Sequence, residues 1–216
     1  MTRFTIASFN VKNLIEAEKE YYRFEEYTCV EYAWKRAWLA DQLLTMNADI
    51  VCFQEIFSEE ALRDVVIETD ELGLAANLAN IPDRSKRYAR KAIFRKLAYE
   101  PYTEAALAYA PNSFDDGPGQ RRPGVAILSR FGFEGLPEVI QDLPEPLTVP
   151  FSDLDGSDGG SYQIKRLSRP ILKVRIPIGD QVVTVFNCHL KSKLGELPKP
   201  EGAAFAPCLL YTSDAA

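Results

Sequence analysis

None of the four cysteines, Cys29, Cys52, Cys188 and Cys208, belongs to a C-x-x-C pair, so neither a disulfide framework nor a zinc site is indicated. No apolar run approaches the ~18 residues that would suggest a membrane span. No basic segment followed by an apolar stretch precedes the first strand-like run, so no signal peptide is indicated. These absences set the expectation of a soluble, cytoplasmic protein. Positive charge is also in deficit: 25 Lys and Arg stand against 31 Asp and Glu, a net charge of −6. That balance argues against a broad, non-specific grip on a polyanion, while leaving room for a locally basic groove. Internal repeats and an interdomain linker are absent. Histidine occurs once, as His189.

What the chain does have is apolar content. With 46% hydrophobic and 11% aromatic residues in a length of 216, it can bury the core of one large domain, or of a piece of one. Three apolar, strand-like runs end in polar residues. Ile6 to Phe9 ends at Asn10, Ala48 to Phe53 at Gln54-Glu55, and Val182 to Phe186 at Asn187-Cys188-His189. In open α/β sheets ligands gather beyond the carboxyl ends of the strands. An amide, a carboxylate and the lone imidazole at three such ends point to one shared site.

Along the chain, residues 3–9 read as a buried strand and 28–46 as a helix, in which Val30, Trp34, Ala37, Trp38, Leu43 and Leu44 recur near helical spacing. Trp34 and Trp38, four residues apart, are expected in the core. Asn47 is the expected helix stop. Residues 48–54 form a second buried strand, parallel to the first through a right-handed crossover. Ser58 caps a helix that runs to about Leu72. Residues 76–98 are partly helical and basic, 101–110 form a strand, 112–123 a loop and 124–129 a short strand. A long polar connection is expected over 144–160. Residues 170–177 and 181–188 are strands joined by a hairpin at Ile178-Gly179-Asp180. Cys52 and Cys188, inside strand-like runs, are expected to be small buried hydrophobes. One domain covers 1–202. Residues 203–216 form an irregular tail, and 208–216, which continue no element, are expected to be non-native.

Glu55 leads the chemistry. A carboxylate directly after an apolar strand is a hard oxygen ligand of the kind Mg²⁺ takes, since that ion keeps several waters and needs only one or two protein carboxylates. Asn10 offers an amide to the metal's water shell or to a phosphate oxygen, or else closes an Asx turn. His189 can bond a phosphoryl oxygen or protonate a leaving alkoxide. Lys191 adds positive charge where negative charge develops, and Asn187 orients the site or binds substrate. At least one of Arg121 and Arg122 is expected to clamp a phosphate, the other being either a second clamp or simply solvated. Further basic residues cluster at Arg84 to Lys96, at Arg130 beside that arginine pair, and at Lys165 to Arg175. The first of these clusters is either a solvated helix face or a phosphate-facing surface. The acidic run Asp153 to Asp158 is no EF-hand, because Ile164 stands where the bidentate glutamate belongs.

Four segments, Ser8 to Leu14, Asp49 to Glu55, Gly124 to Arg130 and Asn187 to Ser192, resemble in order and spacing the endonuclease/exonuclease/phosphatase superfamily. That superfamily includes deoxyribonuclease I, apurinic exonucleases, neutral sphingomyelinases and inositol-phosphate 5-phosphatases. The resemblance covers about residues 3–195. It implies an α/β fold, a four-layer sandwich of two mixed sheets flanked by helices, present here in part with its later strands missing. It also implies Mg²⁺- or Mn²⁺-dependent phosphoester hydrolysis. Glu55 would bind the metal, Asn10 would neighbour it, and His189 would contact the scissile phosphate. The Gly-Asp-x-Asn and Ser-Asp-His motifs of the family do not occur in this sequence. A fragment with impaired activity and an uncovered sheet edge is therefore expected. A nuclease acting on nucleic acid leads; a lipid or inositol phosphoesterase and a non-catalytic scaffold of the same fold are the alternatives.

Overall fold

The computed structural model describes residues 3–22, 25–79, 99–102, 107–112, 122–152 and 158–190. In chain order the elements are β1 (Ile6–Leu14), α1 (Cys29–Met46), β2 (Ile50–Ile56), α2 (Glu59–Ala79), β3 (Leu107–Asn112), β4 (Arg122–Ser129), β5 (Glu138–Ser152), β6 (Asp158–Ile178) and β7 (Gln181–Cys188). They form two sheets, ordered β1-β2-β4-β3 and β5-β6-β7. β1 and β2 run parallel, as the intervening helix requires, while β4 lies antiparallel to both β2 and β3.

β2 explains the architecture. Its run Ile-Val-Cys-Phe is buried throughout, which a strand achieves only when both faces of its sheet are covered. On one face Val51 and Phe53 join Leu39 and Leu43 of α1 and Leu62 and Val65 of α2. On the other, Ile50 and Cys52 join Leu172, Val174 and Ile176 of β6 and Val185 of β7. The result is an α/β sandwich whose layers are helices, a mixed sheet and a second sheet. Among the described residues the second sheet pairs antiparallel, β5 and β7 each against β6. Among the described residues no helix covers its outer face, which carries Val182 and Phe186 in the open.

Local signals place α1 well. Thr28 and Glu31 make a reciprocal capping box at its start, and Asn47 closes it in the left-handed conformation at φ 42°. α2 begins beside Ser58, whose hydroxyl accepts from the Ala61 amide at 3.4 Å, and continues past Leu72 to Ala79. The hairpin between β6 and β7 turns at Gly179, with φ 60°. Among the described residues no helix is long and apolar enough to cross a membrane.

Some expectations need correction. Trp34 and Trp38 are 71% and 46% exposed; the buried stripe of α1 is instead Tyr32, Leu39, Ala40 and Leu43. The polar connection over 144–160 is largely strand, since β5 reaches Ser152 and β6 starts at Asp158. Its prolines Pro144, Pro146 and Pro150 lie on an edge strand, where a missing N–H is tolerated. Cys188 is exposed, whereas Cys52 is buried, with its thiol pushed up to about 11 by burial. Arg130, which the sequence groups with Arg121 and Arg122, is buried. Its side chain is only 7% exposed and bonds Asn47 Oδ1 at 2.7 Å over the ring of Tyr102, beside the amino end of β2. The expected strand over 101–110 corresponds to β3, described over Leu107–Asn112. Arg121, Lys191, the acidic run over 153–157, the whole basic stretch over 84–96 and the tail over 203–216 lie outside the described residues.

Candidate active site

Parallel pairing of β1 with β2 sets Asn10 opposite Gln54, so both strands deliver their polar ends to one edge of the molecule. β7 reaches the same edge from the second sheet. Its inward-facing Asn187 is only 3% exposed. The Asn187 amide donates to the carbonyls of Phe53 and Ala126, both at 2.8 Å, and its oxygen accepts from Gln54 Nε2 at 2.8 Å. One amide thus ties β7 to β2 and β4. Asn187 was expected to orient the site or to bind substrate; here it is a buried clamp that places His189, two residues on.

Glu55 is aimed by an irregularity. A regular strand alternates its side chains. Val51 and Phe53 face the helices, so Glu55 would follow them. Instead the register shifts between Gln54 and Ile56, and Glu55 takes φ 65°. Such a bulge bends the strand and re-aims a side chain. A left-handed glutamate costs about 1–3 kcal/mol, a strain that gathers at functional sites. β1 is irregular at the same level, with Lys12 and Asn13 at φ 53° and 62°. Gly124, opposite Ile56 on β4, allows β3 to approach closely on its other side, because a Cβ would lie 2.2 Å from the Ala110 carbonyl oxygen.

The two bulges bring the three expected residues together. Asn10 Nδ2 donates to Glu55 Oε1 at 2.8 Å, and His189 Nε2 lies 3.5 Å from the same oxygen. Lys12 N–H donates to Asn10 Oδ1 at 2.9 Å and so orients the amide. Among the described residues His189 Nδ1 is buried without a partner. A carboxylate beside Nε2 and a bare Nδ1 fit the Nε2–H tautomer. Arg169 holds the chain at this end of β7 by donating to the carbonyls of His189 and Leu190 at 3.3 and 2.8 Å.

The electrostatics follow from burial. Burial lowers the His189 pKa, Arg169 lowers it further, and Glu55 opposes both. The imidazole is therefore neutral at pH 7. A group whose folded pKa lies below its unfolded value near 6.5 is protonated first in the unfolded state. Its stabilisation is complete above pH 6.5 and falls away as the pH drops toward the folded pKa. Between pH 7 and 5 the metal-free protein should lose more thermal stability than His189→Gln does. Parallel melting curves for the two would refute this assignment.

Four residues near Glu55 escaped the sequence reading as site residues. Tyr22 and Tyr27 have phenol pKa values raised first by burial, with Glu55 contributing. They pack with Tyr21 and Phe57 in a small aromatic cluster beside the end of β2. Lys35 of α1 is pushed down to about 8 by burial and by Lys12, against the pull of Glu55. Arg169 is the fourth. The dense aromatics over 21–27 and the position of Arg169 inside a basic cluster were the available signals. Arg122 is exposed at the start of β4.

A divalent ion fits this donor set only in one form. Among the described residues no group of three His, Cys, Asp or Glu side chains converges, so a caged ion such as structural zinc does not fit. Glu55 with the Asn10 amide suits Mg²⁺ or Mn²⁺ held by one carboxylate and otherwise by water.

Fold and site together define an α/β sandwich with a polar centre beyond the carboxyl ends of its strands. No family model and no curated protein matches the chain. Among solved structures it is similar to an endonuclease/exonuclease/phosphatase family protein from Leptotrichia buccalis C-1013-b. The identity is 11% and the TM-score 0.43, covering 88% of this chain and 54% of that one. The chain thus spans about half the length of that protein.

Proposed function

We propose that the site hydrolyses phosphoesters with the help of Mg²⁺ or Mn²⁺, and that a phosphodiester of nucleic acid is the leading substrate. The observation that carries this reading is the meeting of Asn10, Glu55 and His189 from three strand ends, within 2.8 and 3.5 Å at one carboxylate oxygen. In the proposal Glu55 holds the ion with Asn10 beside it. When bound, that ion neutralises charge on the phosphoryl and leaving oxygens. The neutral His189 offers its Nε2 proton to a phosphoryl oxygen or to the departing alkoxide. Water adds in line to phosphorus, the bond to the leaving oxygen breaks, and that oxygen takes a proton. Asn187 and Arg169 keep His189 at its post. Arg121, Arg122 and Lys191 stay in the proposal as substrate-binding residues.

Supercoiled plasmid with Mg²⁺ is the direct test. Relaxation that stops with EDTA and slows steeply with salt is the expected result. Hydrolysis of phospholipid or inositol phosphate in its place would move the assignment to the lipid alternative. No turnover on any phosphoester, together with no rise in Tm on adding Mg²⁺, would overturn the catalytic reading and leave the scaffold.

A further inference from the structure

We propose that Lys35 and Tyr27 are positioning residues, which lock the bulge of β1 so that the Asn10 amide is aimed at Glu55. Lys35 belongs to α1, yet its ammonium turns away from the helix and donates to the carbonyl of Lys12 and to the Tyr27 hydroxyl, the latter at 2.7 Å. The Tyr27 hydroxyl in turn donates to the Asn13 carbonyl at 3.0 Å. The two carbonyls taken up in this way belong to Lys12 and Asn13, the two consecutive left-handed residues of β1. Each costs about 1–3 kcal/mol and persists only where its surroundings over-determine it. From the bulge the chain of bonds continues without a gap: Lys12 N–H to Asn10 Oδ1 at 2.9 Å, then Asn10 Nδ2 to Glu55 Oε1 at 2.8 Å. Lys35 therefore sits three hydrogen bonds' reach from the carboxylate and acts on it through the backbone.

The neighbouring cation shows that this direction is specific. Arg36 is committed to α2, where it pairs with Glu68 at 2.6 Å. Only Lys35 of the two reaches β1. Half-burial and the nearby charge of Lys12 lower its pKa, which marks an ammonium held where solvation is poor. A lysine placed for solubility would not sit there.

The consequence for turnover rests on the phosphoester reading; the geometry of Asn10 does not. The first test is therefore made on the full chain without metal or substrate. Hydrogen exchange of the Asn10 side-chain amide is followed by ¹H–¹⁵N NMR in wild type, Lys35→Met, Lys35→Arg and Tyr27→Phe. Lys35→Met should raise the exchange rate about tenfold or more while amides of β4 and α2 keep their protection. Tyr27→Phe should lie between, and Lys35→Arg, which keeps a donor, should remain near wild type. Unchanged exchange in Lys35→Met would overturn the proposal. Should that variant not fold, unchanged exchange in Tyr27→Phe overturns it equally. Where phosphoester turnover is present, Lys35→Met should lower kcat about 10- to 100-fold, as loss of a supporting partner does, and Lys35→Arg should restore most of it. A wild type inert to phosphoesters would sink the functional reading and leave the exchange result standing.

Discussion

Asn187→Leu should lower the Tm by about 10 °C. The substitution keeps much of the side-chain volume and removes both halves of the amide. The carbonyls of Phe53 and Ala126 lose their Asn187 donor and Gln54 Nε2 loses one acceptor, all in the interior between the sheets. Gln54 retains Ser8 Oγ and the Cys52 carbonyl as partners, at 3.2 and 3.1 Å, so its loss is partial. An unmatched buried polar group costs about 1–3 kcal/mol, which puts the total near 3 kcal/mol. In a protein of this length each kcal/mol moves the Tm by roughly 2–4 °C. A thermal melt decides the matter, and a double-mutant cycle with Gln54→Leu isolates the pair. A Tm within about 2 °C of wild type would show that the two sheets do not depend on this clamp.

Much of the fold was legible because its signals are local. The apolar run ending at Glu55, the helix before it and the asparagine between them dictate a parallel pair, and the pair is there. The hairpin at Gly179 was equally plain. Other parts depend on what lies across from them. Trp34 and Trp38 recur at helical spacing as a core pair would, but so do Tyr32, Leu39 and Leu43. Which stripe is buried depends on where β1 and α2 lie, and the helix alone does not say. The ribbon of β5 and β6 escaped for a different reason. Over Pro144 to Thr148 every residue is exposed, so no alternation of apolar and polar residues exists to be read.

The site was legible as a list and illegible as a geometry. Asn10, Glu55 and His189 stand at strand ends in the sequence, and the strands bring them to one edge. The left-handed turn at Glu55 that points its carboxylate between Asn10 and His189 leaves no mark in composition or period, because glutamate is an ordinary strand-end residue. Asn187 illustrates the converse. Its position next to the site suggested an orienting or a substrate-binding role, and the inward register of β7 sets it in the interior. An amide near a site binds whatever its strand face presents, and that face follows from register, which only the partner sheet sets.

Glu55→Gln should abolish Mg²⁺-dependent turnover while leaving the fold intact. Glutamine is isosteric and keeps an oxygen for the Asn10 Nδ2 bond of 2.8 Å, so the bulge loses no hydrogen-bond partner. What it loses is the negative charge that a hard cation requires. Loss of a group that stabilises transition-state charge lowers kcat about 10²–10³-fold, and loss of the ion itself should cost at least as much. The rise in Tm on adding Mg²⁺ should vanish in the same variant, whereas the metal-free Tm should stay close to wild type. That pairing separates Glu55 from Asn187, whose loss acts through stability. Glu55→Asn sharpens the test. Asparagine tolerates left-handed backbone better than glutamate, so this variant should melt no lower than wild type although it too is inactive. A strained residue whose replacement relaxes the chain and stops the reaction is held there for chemistry. Near-wild-type turnover of Glu55→Gln with Mg²⁺ would remove the metal assignment, and with it the central role of the bulge.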